Sequence, residues 1–301
     1  WEEIRSWDAT AGFIWIHLDF TEPFVQQWIK EESGVEAVVA EALLANETRP
    51  RSSIINDGLL VMLRGVNTNP GADPEDMVAL RIWIDKGRVI TTRKRRLLTI
   101  DDIRQSIARK EGPTTPGELL VMLSDRLVSR MSGVINDIDD EMDRIEDDVV
   151  SSGNPALRRD LAQLRAEVIA LRRYLSPQRE AMLRLSQDRI QWISDDDRIR
   201  LREVSDRTMR YVEDLDSVRD RAAVVQEELA NRLSEQMNSR MYVLSLVAAV
   251  FLPLGFLTGL LGINVGGIPG SDNPLGFEWV IVFLIVLVSL QVWIFKRKKW
   301  F

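Results

Sequence analysis

Two long uncharged apolar stretches close this chain, residues 241–262 and 279–295, and each approaches the roughly 20 residues needed to cross a hydrocarbon core. Lipid offers no partner to backbone N–H and C=O groups, so both stretches are predicted to be helices. Arg232 and Arg240 precede the first, Lys296, Arg297, Lys298 and Lys299 follow the second, and the connection over 263–278 has no lysine or arginine. Basic residues concentrate on cytoplasmic flanks. Both termini are therefore predicted to be cytoplasmic and the connection external, with Trp279, Trp293 and Trp300 at interfacial positions.

The total formal charge is −7, of which residues from 241 onward carry +2 and those before them −9. Phosphate binding needs clustered Lys and Arg, so an acidic soluble part argues against nucleic acid as a partner. It would instead gather cations near its surface. There is no cysteine, which excludes disulfides, thiolate nucleophiles and cysteine-ligated zinc. The single histidine, His17, lies in the apolar run Phe13-Ile14-Trp15-Ile16-His17-Leu18, reads as part of a buried strand, and is expected to be structural. No secretory signal is read at the start, and the chain opens on Trp1 rather than methionine, consistent with native residues upstream.

Three regions precede or include the spans. Residues 1–96 alternate β-rich runs with helical patterns, as an α/β layer domain does. Strands are predicted at 54–55, 58–66, 78–84 and 88–92, with tight turns at Asn56-Asp57-Gly58 and Asp85-Lys86-Gly87. Helices are predicted at 23–32, with Pro23 in the first turn, and at 35–44. After Pro116 the pattern turns helical: one amphipathic stretch over 117–150, a break at Ser151-Ser152-Gly153-Asn154-Pro155, and a second stretch over 156–193. Ser194-Asp195-Asp196-Asp197 signals the N-terminus of a third helix.

In that third helix Leu201, Val204, Thr208, Tyr211, Leu215, Val218, Ala222, Val225 and Leu229 alternate spacings of three and four. This heptad seam fits a bundle within one chain or one shared between chains. No helix breaker lies between Arg198 and Pro253, so a helix reaching Gly262 would be roughly 100 Å long. The expectation is an α+β membrane protein with an N-terminal α/β cytoplasmic domain over 1–115, a long-helix bundle and stalk over 116–240, and a transmembrane domain over 241–301.

Two spans cannot enclose a polar path, so transport by such a chain demands an oligomer. The first span has small residues four apart, Gly255 with Gly259 and Gly262 with Gly266, which allow close helix approach. It runs as Pro253-Leu254-Gly255-Phe256-Leu257-Thr258-Gly259 into Gly262-Ile263-Asn264. This sequence, with the order of domains, resembles the CorA superfamily of divalent-cation transporters, whose members share a Gly-x-Asn motif after the first of two C-terminal spans. Magnesium members usually carry Met where Ile263 stands. The continuation Asn264-Val265-Gly266-Gly267-Ile268-Pro269-Gly270, and Thr48-Arg49-Pro50-Arg51 in the soluble part, look like the zinc-transporting ZntB branch.

The resemblance implies a funnel-shaped homopentamer in a bacterial inner membrane, with Zn²⁺ as transported substrate, no cofactor, and proton-coupled uptake; efflux is the alternative direction. It implies a selectivity motif at Gly262, Ile263 and Asn264, where amide oxygens would hold a cation by its water shell. As a helix C-cap Asn264 would serve equally well. By the resemblance the pore-facing positions are Asn238, Met241, Leu244, Ser245, Ala248, Leu252, Gly255 and Gly259. Met241, Leu244 and Leu252 would be apolar constrictions.

Charged features remain. Asp137, Asp139, Asp140, Glu141, Asp143, Glu146, Asp147 and Asp148 form an acidic tract that either collects cations or is a solvated helix face. Asp272 and Glu278 in the outer connection could attract ions. The run from Lys296 to Lys299 is expected to fix topology and meet anionic lipid, at about 1 kcal/mol per residue. The rival readings are a Mg²⁺, Co²⁺ or Ni²⁺ channel and, in another class, a membrane-anchored metal sensor or scaffold. An enzyme is not expected, since no nucleophile with a base, phosphate loop or metal triad can be assembled.

Overall fold

The structure, a computed structural model, describes residues 1–8, 12–85, 87–151, 156–188, 190–262, 268, 270 and 273–298. It divides into two compact units, Trp1–Glu227 and Glu228–Phe301.

The first unit is built on a five-stranded sheet in the order β1-β5-β4-β3-β2, from β1 (Ile14–Asp19), β2 (Arg51–Ile55), β3 (Gly58–Gly65), β4 (Val78–Asp85) and β5 (Arg88–Arg93). Only the β1–β5 pair is parallel. All of β3 and most of β4 are buried, which accounts for their nearly unbroken apolar runs: both faces are covered. One face carries Ile16, Leu60, Met62, Trp83 and Ile90 against α2 (Pro23–Gln27), the π-turn Trp28–Glu32 that continues it, and α3 (Ala37–Leu44). The other face carries Leu59, Val61, Leu63, Leu80 and Ile82 against α4 (Leu98–Ala108), α5 (Pro116–Ser129) and later helices. A short α1 (Glu2–Ser6) precedes the sheet. At the predicted hairpin Asn56 has φ 49°, the left-handed conformation that asparagine tolerates.

The stretch predicted as one helix over 117–150 is two, α5 and α6 (Met131–Ser151), and the second stretch ends early as α7 (Leu157–Gln187). No glycine or proline marks the break. Arg130 at the junction is held by Asp102 of α4, at 3.0 Å from Nε and 2.6 Å from Nη2, so a tertiary ion pair fixes the corner.

The third helix, α8 (Asp195–Leu261), starts where its signal predicted and runs unbroken for 67 residues from the first unit into the second. Ser194 and Asp197 cap it reciprocally: Asp197 N–H donates to Ser194 Oγ at 3.1 Å, and Ser194 Oγ and N–H donate to Asp197 Oδ2 at 2.7 and 3.2 Å. The seam is buried within the chain from Leu201 to Leu229, with Val212 rather than Tyr211 at the inner position and Tyr211 partly packed on the sheet core. Over residues 201–229 the bundle is therefore internal to one chain.

Candidate functional site

In the second unit α8 continues to Leu261 and α9 (Gly276–Arg297) follows. Both contain 18-residue windows of mean hydropathy 2.3, and neither window is buried within the chain. Pro253 sits inside α8. It donates no backbone hydrogen bond, while Thr258 Oγ1 bonds the Leu254 carbonyl at 2.9 Å. The two helices meet along a groove of about 530 Å³ in which Phe251, Leu254, Gly255 and Thr258 face Ile281 and Ile285. Leu246, Val250, Leu254 and Leu257 are the partly covered positions of α8 on this side, with Val280, Leu284, Leu287, Val288, Gln291 and Phe295 on α9.

Most of the expected pore-facing residues occupy the neighbouring side of α8. At 100° per residue Asn238, Met241, Leu244, Ser245, Ala248, Leu252, Gly255 and Gly259 fall within an arc of about 120° that adjoins the groove and overlaps it at Gly255. Met241, Leu244 and Leu252 are 63%, 71% and 71% exposed. Ala248 is partly covered, and Gly255 borders the groove. A methyl group added at Gly255 or Gly259 would meet nothing within 4 Å. Packing inside the chain does not explain Gly259, which lies outside the groove.

Gly262 closes the helix, its N–H 2.9 Å from the Thr258 carbonyl. Ile263, Asn264 and Asp272 lie outside the described residues. Glu278 was expected in the outer connection, but α9 begins at Gly276 and places it in the first helical turn, where a carboxylate complements the helix dipole. At the other end Lys296 and Arg297 occupy the last turn, and the Arg297 guanidinium lies 5.3 Å from the Trp293 ring centroid.

In the first unit the acidic tract of α6 is largely engaged. Arg221 of α8 donates Nη1 to Asp139 at 2.8 Å, Nε and Nη2 to Glu146 at 2.9 and 2.6 Å, and also reaches Asp143. Arg144 takes Glu141 and Asp148, and its bond to Glu141 holds that carboxyl below the usual range. Among the described residues no group of three His, Cys, Asp or Glu side chains could hold a metal ion. One stripe of the tract thus fastens α6 to α8, while Asp137, Asp140 and Asp147 remain exposed.

His17 stands in β1 as expected, Nδ1 2.9 Å from Thr91 Oγ1, which also accepts from Trp15 Nε1 at 2.8 Å. Burial, then the charges of Arg93 and Arg104, push the imidazole down to about 4, so it is neutral in the folded chain.

Two residues escaped the sequence reading. Arg64 of β3 and Arg81 of β4 are 9% and 1% exposed, with no carboxylate hydrogen-bonded to either among the described residues. Arg81 donates Nε and Nη2 to the Ala45 carbonyl at 3.0 and 2.6 Å and stacks on Phe20. Arg64 donates Nε and Nη2 to the Thr48 carbonyl at 3.2 and 2.9 Å and Nη1 to Met77 at 2.8 Å, under the Tyr174 ring. Burial, and secondarily Arg64, lowers Arg81 to about 10. Their signal was a lone arginine inside each continuous apolar strand.

The chain matches the family model described as CorA-like Mg²⁺ transporter protein over residues 10–297. It is 41% identical over 286 residues to a zinc transport protein ZntB of Pectobacterium carotovorum, covering 95% of this chain and 87% of that one. It is 39% identical over 290 residues to the divalent cation transporter CmaX of Pseudomonas aeruginosa, with the same coverage. Among solved structures, full-length CmaX superimposes with a TM-score of 0.83 at 38% identity, covering 96% of this chain and 89% of that one. The CorA magnesium transporter of Methanocaldococcus jannaschii shares the fold at TM-score 0.83 and 19% identity, over 96% and 92% of the two chains. These are transporters rather than enzymes, and zinc is the cargo named for the ZntB relatives. The resemblance carried by the Gly-Ile-Asn stretch is upheld, and the chain belongs to the CorA-like family of metal-ion transporters.

Proposed function

We propose that this chain carries Zn²⁺ across the bacterial inner membrane as a homopentamer, by proton-coupled uptake. The α/β domain over 1–115 and the helices over 116–240 lie in the cytoplasm with both termini. The first span of each copy lines a shared axis, and the hydrated ion is selected at Gly262, Ile263 and Asn264. Asp272 and Glu278 draw cations to the outer mouth. The basic residues from Lys296 to Lys299 contact anionic lipid.

The observation that carries this reading is the free face of α8. It bears Met241, Leu244 and Leu252 exposed and Gly259, which no atom of the chain crowds and which lies outside the groove against α9, a groove that Gly255 borders. Glycines left open within one chain suit close approach by another helix. The ZntB relatives support zinc as the cargo. A second reading, Mg²⁺ conduction without proton coupling, is favoured by the description of the family model.

Zinc uptake into liposomes containing the purified protein, with and without an imposed pH gradient, separates the two. Zinc flux that rises when the gradient drives protons in the direction of transport supports symport. Flux indifferent to the gradient, or Mg²⁺ carried in preference, supports the second reading.

A further inference from the structure

With no cysteine in the chain, its sulfur chemistry rests on nine methionines. Five are buried and Met122 packs partly against the sheet core. Met209, Met237 and Met241 are 42%, 55% and 63% exposed. An accessible thioether is open to oxidation, and the sulfoxide that forms is polar where the methionine was apolar.

Met237 and Met241 form a pair. Both lie in the second unit, four residues apart on α8, and a four-residue step returns to the same helical face. At 100° per residue Leu233, Met237, Met241 and Leu244 fall within about 80° of one another. The seam that precedes them is buried through Leu229, whereas all four of these side chains are exposed. The internal partner of α8 therefore ends near Leu229 while its apolar stripe continues. Met241 opens the uncharged span and Met237 stands one turn before it.

We infer that Met237 and Met241 are an oxidation site, and that their sulfoxides open the apolar constriction at Met241. The gating part rests on the transport reading above. With hydrogen peroxide, a sulfur lone pair attacks one peroxide oxygen, the O–O bond breaks and an S=O bond forms. Sulfur loses two electrons, the peroxide is reduced, and water leaves. An apolar collar stops ions by dewetting. A sulfoxide oxygen accepts hydrogen bonds from water and so favours wetting at the level where a hydrated cation has to pass. Thiol-dependent sulfoxide reductases reverse the step, supplying two electrons and two protons and releasing the oxygen as water.

Full-length protein in liposomes is treated with hydrogen peroxide, and sulfoxides are located by peptide mass spectrometry. Zinc uptake is measured before treatment, after it, and again after the methionine sulfoxide reductases for both epimers with dithiothreitol. Sulfoxides at 237 and 241, a several-fold rise in uptake and its reversal by the reductases are expected. Met209→Leu should behave as wild type. In Met237→Leu/Met241→Leu, a nearly volume-conserving change, uptake should be the same before and after peroxide. The reductase arm on wild type decides the matter where that variant fails to assemble. Sulfoxides at both positions with unchanged or lowered uptake overturn the gate, as does a rise shared by the double variant or one that the reductases do not reverse. Oxidation of Met209 while 237 and 241 stay reduced overturns the site. No zinc uptake by treated and untreated protein alike overturns the transport reading and the gate with it, whereas normal uptake indifferent to peroxide overturns the gate alone.

Discussion

Arg221 and Glu146 meet through a two-pronged bond, Nε to Oε1 at 2.9 Å and Nη2 to Oε2 at 2.6 Å, and the same guanidinium reaches Asp139 and Asp143. One cation on α8 therefore bridges three carboxylates that would otherwise repel one another more strongly on α6. Arg221→Ala is expected to cost roughly 1–2 kcal/mol, since bonds to charged groups exceed neutral ones and a network exceeds an isolated surface pair. Hydrogen exchange along α6 in the full-length protein should quicken. Arg221→Lys should recover part of the loss, because it keeps the charge without the fork. Unchanged protection of α6 in Arg221→Ala would show that the clasp is idle.

Truncating Arg81 strands the carbonyls of Ala45 and Asn46 and opens space beside Phe20. Arg81→Ala is expected to destabilise the first unit by about 2–4 kcal/mol, read as a lower denaturant midpoint for tryptophan fluorescence. Arg49→Ala, on the exposed part of the same segment, should leave that midpoint within about 0.5 kcal/mol of wild type.

His17 gives the fold an acid sensitivity. Its folded value of about 4 lies below the ordinary 6.5 because burial disfavours the charged ring. Between these two values the unfolded chain takes up a proton that the folded chain refuses, so stability falls as pH drops through that window and is unaffected by this residue above it. The total change is on the order of 3 kcal/mol. Unfolding midpoints at pH 7 and pH 4.5 should differ less in His17→Phe than in wild type, whereas parallel shifts in the two proteins would exclude the imidazole as the cause.

Glycine at 259 has open space around it inside one chain. Gly259→Leu is therefore expected to leave the helix content and the midpoint of the first unit intact while lowering the oligomer fraction and zinc flux together. A variant that assembles and transports normally would mean that no second helix approaches this face.

Much of the scaffold was legible because burial repeats at regular spacings. The runs of β3 and β4 announced covered strands, and the seam from Leu201 to Leu229 announced a packed helix. Its single displacement, Val212 for Tyr211, reflects the mismatch between a 3.5-residue repeat and a 3.6-residue helix. The corner at Arg130 was not legible, since an ion pair with Asp102 makes it. Nor were Arg64 and Arg81, whose ligands are carbonyls that residue identity does not reveal. The acidic tract read two ways until Arg221, far along the chain, was seen to engage one stripe of it. The candidate pore face was reached through family likeness more than through periodicity, because an apolar span looks alike on every side until its partner helix is known.

The central claim is that ions pass a collar of Asn264 side chains on an axis shared between copies. Radioactive zinc uptake into liposomes, comparing wild type with Asn264→Ala at equal oligomer content, tests it most directly. Saturable zinc uptake by wild type and its loss in the variant, with Mg²⁺ carried poorly by both, is the predicted result. Equal zinc uptake by the two proteins, or none by wild type, would contradict it.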